Sequence, residues 1–216
     1  MTLIHPKTIT KYSAGSFTES PDSIAVEAPL EIRLGFGKES EREQKSISVT
    51  MRTPGNDEEL ALGFLITEGI LEHFEDLLSI RHCGEVKKDE KNNIIRAELG
   101  ANINVDWKKL DRHFYTTSSC GVCGKSSIEA VRNNCLIPIK NGIKISSATV
   151  LSLPEQLNDS QLVFNLTGGI HASALFNLKG ELQLIREDVG RHNALDKIIG
   201  ASAEKKNSHF PKVFCY

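Results

Sequence analysis

The chain has 216 residues, of which 39% are hydrophobic and 25% are charged, with a formal net charge of -2. This composition is typical of a globular protein that forms one large domain or two small ones. The near-neutral balance excludes the overall basic field that attracts nucleic acid, so we expect no nucleic-acid partner. The apolar stretches are much shorter than the roughly 18 residues that cross a bilayer, and the first residues lack a secretory pattern. We therefore expect neither a membrane segment nor secretion.

The first half of the chain is predicted to be rich in strands. Residues 1–23 are polar and mixed, which indicates a loosely held segment. Residues 27–36 and 45–52 alternate apolar and polar side chains, as strands with one buried face do, and a charged loop separates them. Short strands are expected at residues 78–83 and 93–99.

A helix is predicted between these strands, within residues 53–69. Asn56 or Asp57 can cap its amino end, the acidic side chains that follow suit the helix dipole, and Gly69 can end it. The apolar stripe of this helix is predicted to be Leu60, Ala61, Phe64 and Leu65.

Helices and strands alternate in the second half. We expect a helix in pieces over residues 152–166, then two strands joined by a turn at Lys179 and Gly180, and then a helix that begins near Arg191. On that last helix, one face carries polar residues and the other is expected to pack in the core. The polar face is His192, Asn193, Asp196 and Lys197, and the apolar face is Ala194, Leu195, Ile198 and Ile199.

The chain closes on a predicted buried strand at residues 211–216. A strand without a return connection is unusual in an α/β unit, so we expect further elements of this region to be missing. The predicted organisation is an α+β domain over residues 1–115, a cysteine-containing loop and connecting segment over 116–148, and an incomplete layered domain over 149–216.

Paired cysteines give the first candidate site. Cys120 and Cys123 lie in the segment SSCGVCGK, where flanking glycines allow the backbone to bend and leave the thiols accessible. Lys125 and a following helix would favour thiolate, the form that attacks sulfur, so the pair could carry a persulfide. The pair could equally be half of a zinc site. The other candidate ligands, which form no second compact pair, are His82, Cys83, His113 and Cys135.

Two further motifs could bind a ligand. The segment REDVGRHNALDK, residues 186–197, places polar side chains beside a helix amino end, which suits an anion or phosphate, although a solvated helix face has the same pattern. In the segment TGGIH, Gly168 and Gly169 permit close approach of the backbone to a ligand, or simply form a turn. His171 in that segment is more often a structural histidine than a catalytic one.

Together these motifs resemble the FdhD family, the formate dehydrogenase accessory sulfurtransferases. The resemblance is carried, in order, by RTPGNDEELALGFLITEGI, SSCGVCGK, TGGIHASALF and REDVGRHNALDK, and it runs from about Ile24 to Tyr216. It implies a cytidine-deaminase-like fold for the second domain, a homodimer and a cytoplasmic location. It also implies that the family continues beyond the point where this chain ends, with a further helix, strands and a segment rich in Gly and Arg.

The resemblance further implies a reaction. Cys120 would accept a persulfide sulfur from a cysteine desulfurase, with Cys123 assisting, and pass it to the molybdenum or tungsten of a bis-molybdopterin guanine dinucleotide cofactor for formate dehydrogenase. That cofactor is a bound substrate, and no permanent metal is expected. The remaining cysteines, Cys83, Cys135 and Cys215, are interpreted as structural. The residues expected to line the cofactor pocket are Gly168, Gly169, His171, Arg191, His192, Asn193 and Lys197.

Two other functions fit parts of the sequence. A zinc deaminase shares the implied fold and a CxxC pair, but it needs H-x-E on one helix and P-C-x-x-C on a later one. His73 and Glu75 match the first pattern only by letters, and no proline precedes Cys120. A chaperone that binds the cofactor without obligatory sulfur transfer is the other alternative, which substitution of Cys120 would distinguish.

Overall fold

The computed structural model describes residues 2–84, 92–101, 103, 105, 107, 144–205 and 213–215. The architecture is α+β, as predicted. The described strands form a two-stranded, a four-stranded and a three-stranded sheet. Among the described helices, none is long and apolar enough to cross a membrane.

The amino-terminal segment forms a hairpin, where the sequence predicted no regular element. Strands β1 (Ile4–Ser13) and β2 (Ser16–Ala25) pair along their whole length as an antiparallel hairpin. Ala14 and Gly15 join them with positive φ angles of 51° and 83°, the conformation of a tight hairpin turn whose twist matches the strands. Most of the side chains are exposed on both faces, so the apolar alternation by which strands are recognised is absent.

The second sheet has the strand order β4-β3-β6-β5. Its members are β3 (Ala28–Phe36), β4 (Glu43–Arg52), β5 (Leu77–His82) and β6 (Ile94–Leu99). The β3–β6 pair is parallel, and the other two pairs are antiparallel. All four strands were predicted to within about two residues. Strands β3 and β4 alternate more buried and more exposed side chains, whereas five of the six residues of β6 are buried.

Helix α1 (Asp57–Thr67) packs against this sheet and confirms the predicted helix. Asn56, one of the two predicted cap residues, occupies the position before the helix, but the predicted side-chain cap is absent. Asn56 lies in the left-handed region (φ 55°) and makes no side-chain capping bond. Asp57 turns its carboxylate toward Arg52, which takes it out of the capping role. The buried members of the core are Leu30, Ile32, Leu34, Ile47, Leu60, Ala61, Leu62, Leu65, Leu71, Ile95, Ala97, Leu99 and Val105.

The second half confirms the predicted helix pieces, strand pair, helix and closing strand. In chain order its elements are α2 (Ser147–Ser160), α3 (Leu162–Thr167), β7 (His171–Asn177), β8 (Leu182–Asp188), α4 (Arg191–Lys205) and β9 (Val213–Cys215). The three strands form an antiparallel sheet in the order β8-β7-β9.

Helices α1 and α4 pack directly against each other and join the two halves of the fold. Gly63 of α1 lies against the backbone carbonyl of Asp196, and Gly200 of α4 lies against the backbone carbonyl of Glu59. A Cβ atom at either glycine would overlap the facing carbonyl. The missing side chains therefore let the two backbones approach closely, as small residues do at helix crossings.

The predicted division of α4 into a polar outer face and an apolar inner face is partly wrong. Asn193 and Lys197 are buried together with Ala194 and Ile198, whereas Leu195 is 38% exposed. Helix α4 contacts α1 on one side and strands β7 and β8 on another, so its buried surface is wider than an apolar stripe. The buried surface therefore includes part of the predicted polar face.

Candidate functional site

The cysteine pair lies outside the described residues. Residues 108–143 are not described, and they contain Cys120, Cys123, His113 and Cys135. The roles predicted for these four residues stay predictions. Cys83 is described: it follows β5, is partly buried and is a free thiol.

The predicted ligand-binding residues of the second half gather at one edge of the three-stranded sheet. His171 begins β7 and pairs in register with Asp188, the last residue of β8. Helix α4 begins shortly after Asp188, and the glycine turn leads directly into β7. The register therefore brings together a group of exposed residues, namely Gly168, Gly169, His171, Arg191 and His192.

This edge is suited to an anion. Helix α4 begins with Arg191 and His192 and has no acidic residue in its first turn. The amino end of a helix carries partial positive charge on its unpaired N–H groups. Gly168 has a φ of 64°, which ends α3 in the left-handed conformation that glycine adopts without strain. The edge thus combines a helix amino end, basic side chains and a backbone turn without Cβ atoms.

Asn193 and Lys197, also predicted to bind ligand, lie beneath this edge in the interior. The Lys197 Nζ atom is 2.7 Å from Asp188 Oδ2 and donates a hydrogen bond of 2.9 Å to the backbone oxygen of Thr53. The Asn193 side chain donates to Asp188 Oδ1 at 3.0 Å and to the Met51 oxygen at 2.8 Å. We call Thr53, Asp188, Asn193 and Lys197 the buried polar cluster.

The buried polar cluster connects the two halves of the protein. The backbone N–H of Thr53 donates to Asp188 Oδ2 at 3.1 Å, and the Thr53 hydroxyl accepts the N–H of Val189 at 3.1 Å. The N–H of Gly190 donates to Asp188 Oδ1 at 2.9 Å. Both Asp188 oxygens are therefore fully used, as a buried carboxylate requires. The cluster holds the β8–α4 junction against the segment that precedes α1.

Two neighbours of Asp188 make equally specific contacts that sequence reasoning did not assign. Arg186 forms a two-bond ion pair with Glu59 of α1, at 2.5 and 2.6 Å. The Glu187 carboxylate accepts the backbone N–H groups of Val163 (2.9 Å) and Phe164 (2.8 Å), in the first turn of α3. The run of charged residues at 186–188 was the available indication, but it does not reveal the distant partners.

A second concave region lies at the amino end of α1. It is a cleft of about 670 Å³, and its lining includes His82, Asp57, Glu58 and Glu204. His82 Nε2 is 3.3 Å from Asp57 Oδ2, and this contact raises the pKa of His82 above its ordinary value. Burial raises the pKa of Asp57, but hydrogen bonds from His82 and Arg52 outweigh it and hold that pKa below its ordinary value. The lining of the cleft thus combines several acidic side chains with one histidine whose protonated form is favoured by its contact with Asp57.

A metal site is not evident within the ranges that the structure describes. No group of three or more His, Cys, Asp or Glu side chains there is arranged to hold a metal ion. Cys120, Cys123 and Cys135 lie outside those ranges.

The fold of this chain is shared with a solved structure. The chain superposes on the crystal structure of a protein from Desulfotalea psychrophila that is described as a formate dehydrogenase accessory protein, with a TM-score of 0.68 at 22% identity. The match covers 99% of this chain and 75% of that one. At this identity the likeness establishes the α+β fold that the two proteins share.

The family follows from the sequence comparisons. The model of the FdhD/NarQ family matches residues 25–216, so the chain belongs to that family. It is 45% identical over 201 residues to the sulfur carrier protein FdhD of Mycolicibacterium paratuberculosis, covering 92% of this chain and 71% of that protein. It is 42% identical to the protein of that name from Streptomyces coelicolor, covering 88% and 66%, and 41% identical to that from Sulfolobus acidocaldarius, covering 94% and 70%.

Proposed function

We propose that this protein is a cytoplasmic sulfur carrier that takes persulfide sulfur from a cysteine desulfurase and delivers it to a bis-molybdopterin guanine dinucleotide cofactor for formate dehydrogenase. The observation that carries the proposal is the family match over residues 25–216, which spans the SSCGVCGK segment. Relatives that are 41–45% identical to this chain over the aligned residues are named sulfur carrier proteins.

The proposed first step is an exchange between sulfur atoms. The Cys120 thiolate attacks the outer sulfur of the desulfurase persulfide, the S–S bond in the donor breaks, and the donor cysteine leaves as a thiolate. Cys120 then carries the sulfur as a persulfide, with no net oxidation or reduction. Thiolate–disulfide chemistry of this kind needs an accessible, deprotonated attacking thiol. Lys125 and the flanking glycines supply suitable surroundings in the sequence.

The proposed second step uses Cys123 to release the sulfur. Attack of the Cys123 thiolate on the Cys120 sulfur breaks the persulfide bond, forms a Cys120–Cys123 disulfide and releases hydrosulfide. The two cysteines are oxidised and the transferred sulfur is reduced, so the metal takes up a sulfide ligand without changing its own oxidation state. A thiol reductant then returns the disulfide to the dithiol form.

The exposed edge at the amino end of α4 is the proposed binding surface for the guanine dinucleotide. Its phosphate groups are anionic, Arg191 and the helix dipole provide positive charge, and the His192 side chain can donate a hydrogen bond. The glycine turn and His171 lie at the same edge through the β7–β8 register. Asn193 and Lys197 act in this proposal from beneath, because their polar atoms hold Asp188 and so the start of the helix. We also propose that the protein functions as a homodimer.

The test is intact-mass spectrometry after incubation with a cysteine desulfurase and free cysteine. The wild-type protein is expected to gain the mass of one or more sulfur atoms, and a reductant should remove the gain. Cys120→Ala should gain none, and Cys123→Ala should gain sulfur but release less hydrosulfide. Cys83→Ala is the matched control and should behave like the wild type, since Cys83 is a partly buried thiol at the end of β5.

The outcomes separate the competing functions. If the folded wild-type protein gains no sulfur, transfer through Cys120 is wrong and a cofactor-binding chaperone becomes the better explanation. If the purified protein instead retains stoichiometric zinc that requires Cys120 and Cys123, the pair is a metal site.

A further inference from the structure

Glu187 joins the end of β8 to the short helix α3. Its two carboxylate oxygens accept the backbone N–H groups of Val163 and Phe164, at 2.9 and 2.8 Å. These N–H groups lie in the first turn of α3, where no partner exists within a helix, and Gln161 at the cap position makes no side-chain capping bond. A carboxylate from another element thus performs the capping that the local sequence does not supply.

Helix α3 has few apolar anchors of its own. Val163 is its buried residue, whereas Leu162 and Leu166 are 73% and 61% exposed. A helix of this length gains little stability from its own hydrogen bonds and depends on contacts with its surroundings. The charge-assisted bonds to Glu187 are therefore a substantial part of what holds its first turn in place.

The far end of α3 leads into the proposed ligand edge. Gly168 ends the helix and donates its N–H to the Phe164 oxygen at 2.7 Å. Phe164 is also a residue whose N–H is bound by Glu187. Only the residues from Phe164 to Gly168 therefore separate the backbone that the Glu187 carboxylate binds from the Gly168–Gly169 turn. This turn precedes His171 at the start of β7.

Glu187 is also held at its own backbone. Lys197 Nζ lies 3.4 Å from the Glu187 oxygen, which ties this residue to the buried polar cluster. Direct binding of the anionic ligand by Glu187 is disfavoured, because the carboxylate is negative and both of its oxygens already accept hydrogen bonds. An indirect role, in which Glu187 acts on the ligand edge by holding α3, agrees with the two hydrogen bonds that its carboxylate accepts.

We propose that Glu187 is a positioning residue: its carboxylate holds the first turn of α3 against the end of β8 and thereby sets the position of the Gly168–Gly169 turn for the guanine dinucleotide. This inference rests on the proposed function, in which that turn contacts the ligand. Glu187 itself does not touch the ligand or the transferred sulfur.

The test measures binding of guanosine diphosphate by isothermal titration calorimetry in the wild type, Glu187→Ala and Glu187→Gln. Glu187→Ala is expected to bind about tenfold more weakly, which corresponds to about 1.4 kcal/mol. Glu187→Gln keeps one acceptor oxygen and should lose less affinity. Amide hydrogen exchange should become faster at Val163 and Phe164 in Glu187→Ala.

The matched control is Ser146→Ala. Ser146 caps α2 by accepting the N–H of Thr149 at 3.0 Å, so this variant also loses a helix cap, but away from the ligand edge. It should lower the melting temperature while leaving affinity for guanosine diphosphate unchanged. A structural role of Glu187 alone would give the same pattern in both variants.

The possible failures are distinguishable. If the wild type binds and a folded Glu187→Ala binds within twofold of it, despite faster exchange at Val163 and Phe164, the positioning role is wrong and the proposed function stands. If Glu187→Gln loses as much affinity as Glu187→Ala, the graded role of the acceptor oxygens is also wrong. If the wild type does not bind guanosine diphosphate, the proposed ligand fails and the positioning role fails with it.

Discussion

The Lys197 ammonium nitrogen lies 2.7 Å from Asp188 Oδ2, and both side chains are almost completely buried. Lys197 also binds the backbone oxygen of Thr53, a residue 144 positions away in the chain. Removing two charges from water is costly, and the cost is offset only where each polar atom has a partner. The ion pair therefore depends on all of its hydrogen-bond partners, and these link the β8–α4 junction to the first half of the protein.

We expect Lys197→Met to lower the free energy of unfolding by about 3 kcal/mol, because removal of one partner leaves a buried charge uncompensated. Urea denaturation followed by circular dichroism measures this change. The control is Lys179→Met, at an exposed position in the β7–β8 turn, which should change stability by less than about 0.5 kcal/mol. The double variant Lys197→Met, Asp188→Asn should lose less than the sum of its single variants, and strict additivity would contradict the coupling.

Elements with a clear alternation or clear end signals could be predicted from the sequence. Strand β3 (Ala28–Phe36) alternates side chains as a strand with one buried face does. Helix α1 (Asp57–Thr67) was recognised instead from its acidic first turn and from Gly69 just after its end, because its buried residues include the consecutive run 60–63. The β1–β2 hairpin could not be recognised in this way, because it is exposed on both faces and its turn, Ala14–Gly15, is not among the strongest hairpin dipeptides.

The sequence predicted which segments form the candidate site, but it did not predict which side chains contact each other there. A helical projection places Lys197 and Asn193 on a polar face, and a polar face is ordinarily exposed to solvent. Their burial depends on Thr53 and Met51, which come from the other half of the chain. Periodicity within one helix contains no information about such partners. The motifs of this chain identified its family, whereas the arrangement of the buried polar cluster became known only from the structure.

The close crossing of α1 and α4 predicts strong effects of small substitutions. Gly63→Ala and Gly200→Ala each place a methyl group against a backbone carbonyl of the facing helix, which cannot rotate away as a side chain could. Each variant should lose about 1–3 kcal/mol of stability, the usual cost of overpacking. Gly84→Ala is the control, since a Cβ there meets no atom of the described residues within 4 Å. Thermal unfolding at one fixed pH compares them, and equal melting temperatures for all three would show that the helices can separate at little cost.

Asp196 predicts how stability depends on pH. Burial raises the pKa of Asp196 to about 7, despite a hydrogen bond from Thr67, and the charge of Glu68 acts in the same direction as burial. The folded protein therefore holds this proton more tightly than the unfolded chain, in which an aspartate has a pKa of about 3.9. Ionisation of Asp196 disfavours folding, so this group lowers stability as the pH rises from about 4 through 7.

Asp196→Asn removes that ionisation and retains an acceptor for Thr67. The variant should be more stable than the wild type at pH 8, by on the order of 1–3 kcal/mol, and the difference should shrink toward pH 4. Denaturation curves collected across this range give the comparison. Asp159→Asn, at an exposed position on α2, should show no such trend. A difference between Asp196→Asn and wild type that is constant with pH would mean that Asp196 does not titrate in this range.

The exposed edge at the amino end of α4 predicts binding of a nucleotide anion. Arg191→Ala should weaken the affinity for guanosine diphosphate by about tenfold, since a charge-assisted contact to phosphate contributes about 1.5–3 kcal/mol. His192→Ala should have a smaller effect, because the guanidinium of Arg191 remains beside the helix end.

The same site predicts how binding depends on salt. Raising the salt concentration should weaken binding by the wild type more than binding by Arg191→Ala, because the variant has one attractive charge fewer for the salt to screen. Isothermal titration calorimetry at two salt concentrations measures both effects. Arg81→Ala is the control: Arg81 is an exposed cation on β5, in the four-stranded sheet, and its loss should leave affinity unchanged. Affinity of the double variant Arg191→Ala, His192→Ala within twofold of the wild type would show that the nucleotide binds elsewhere.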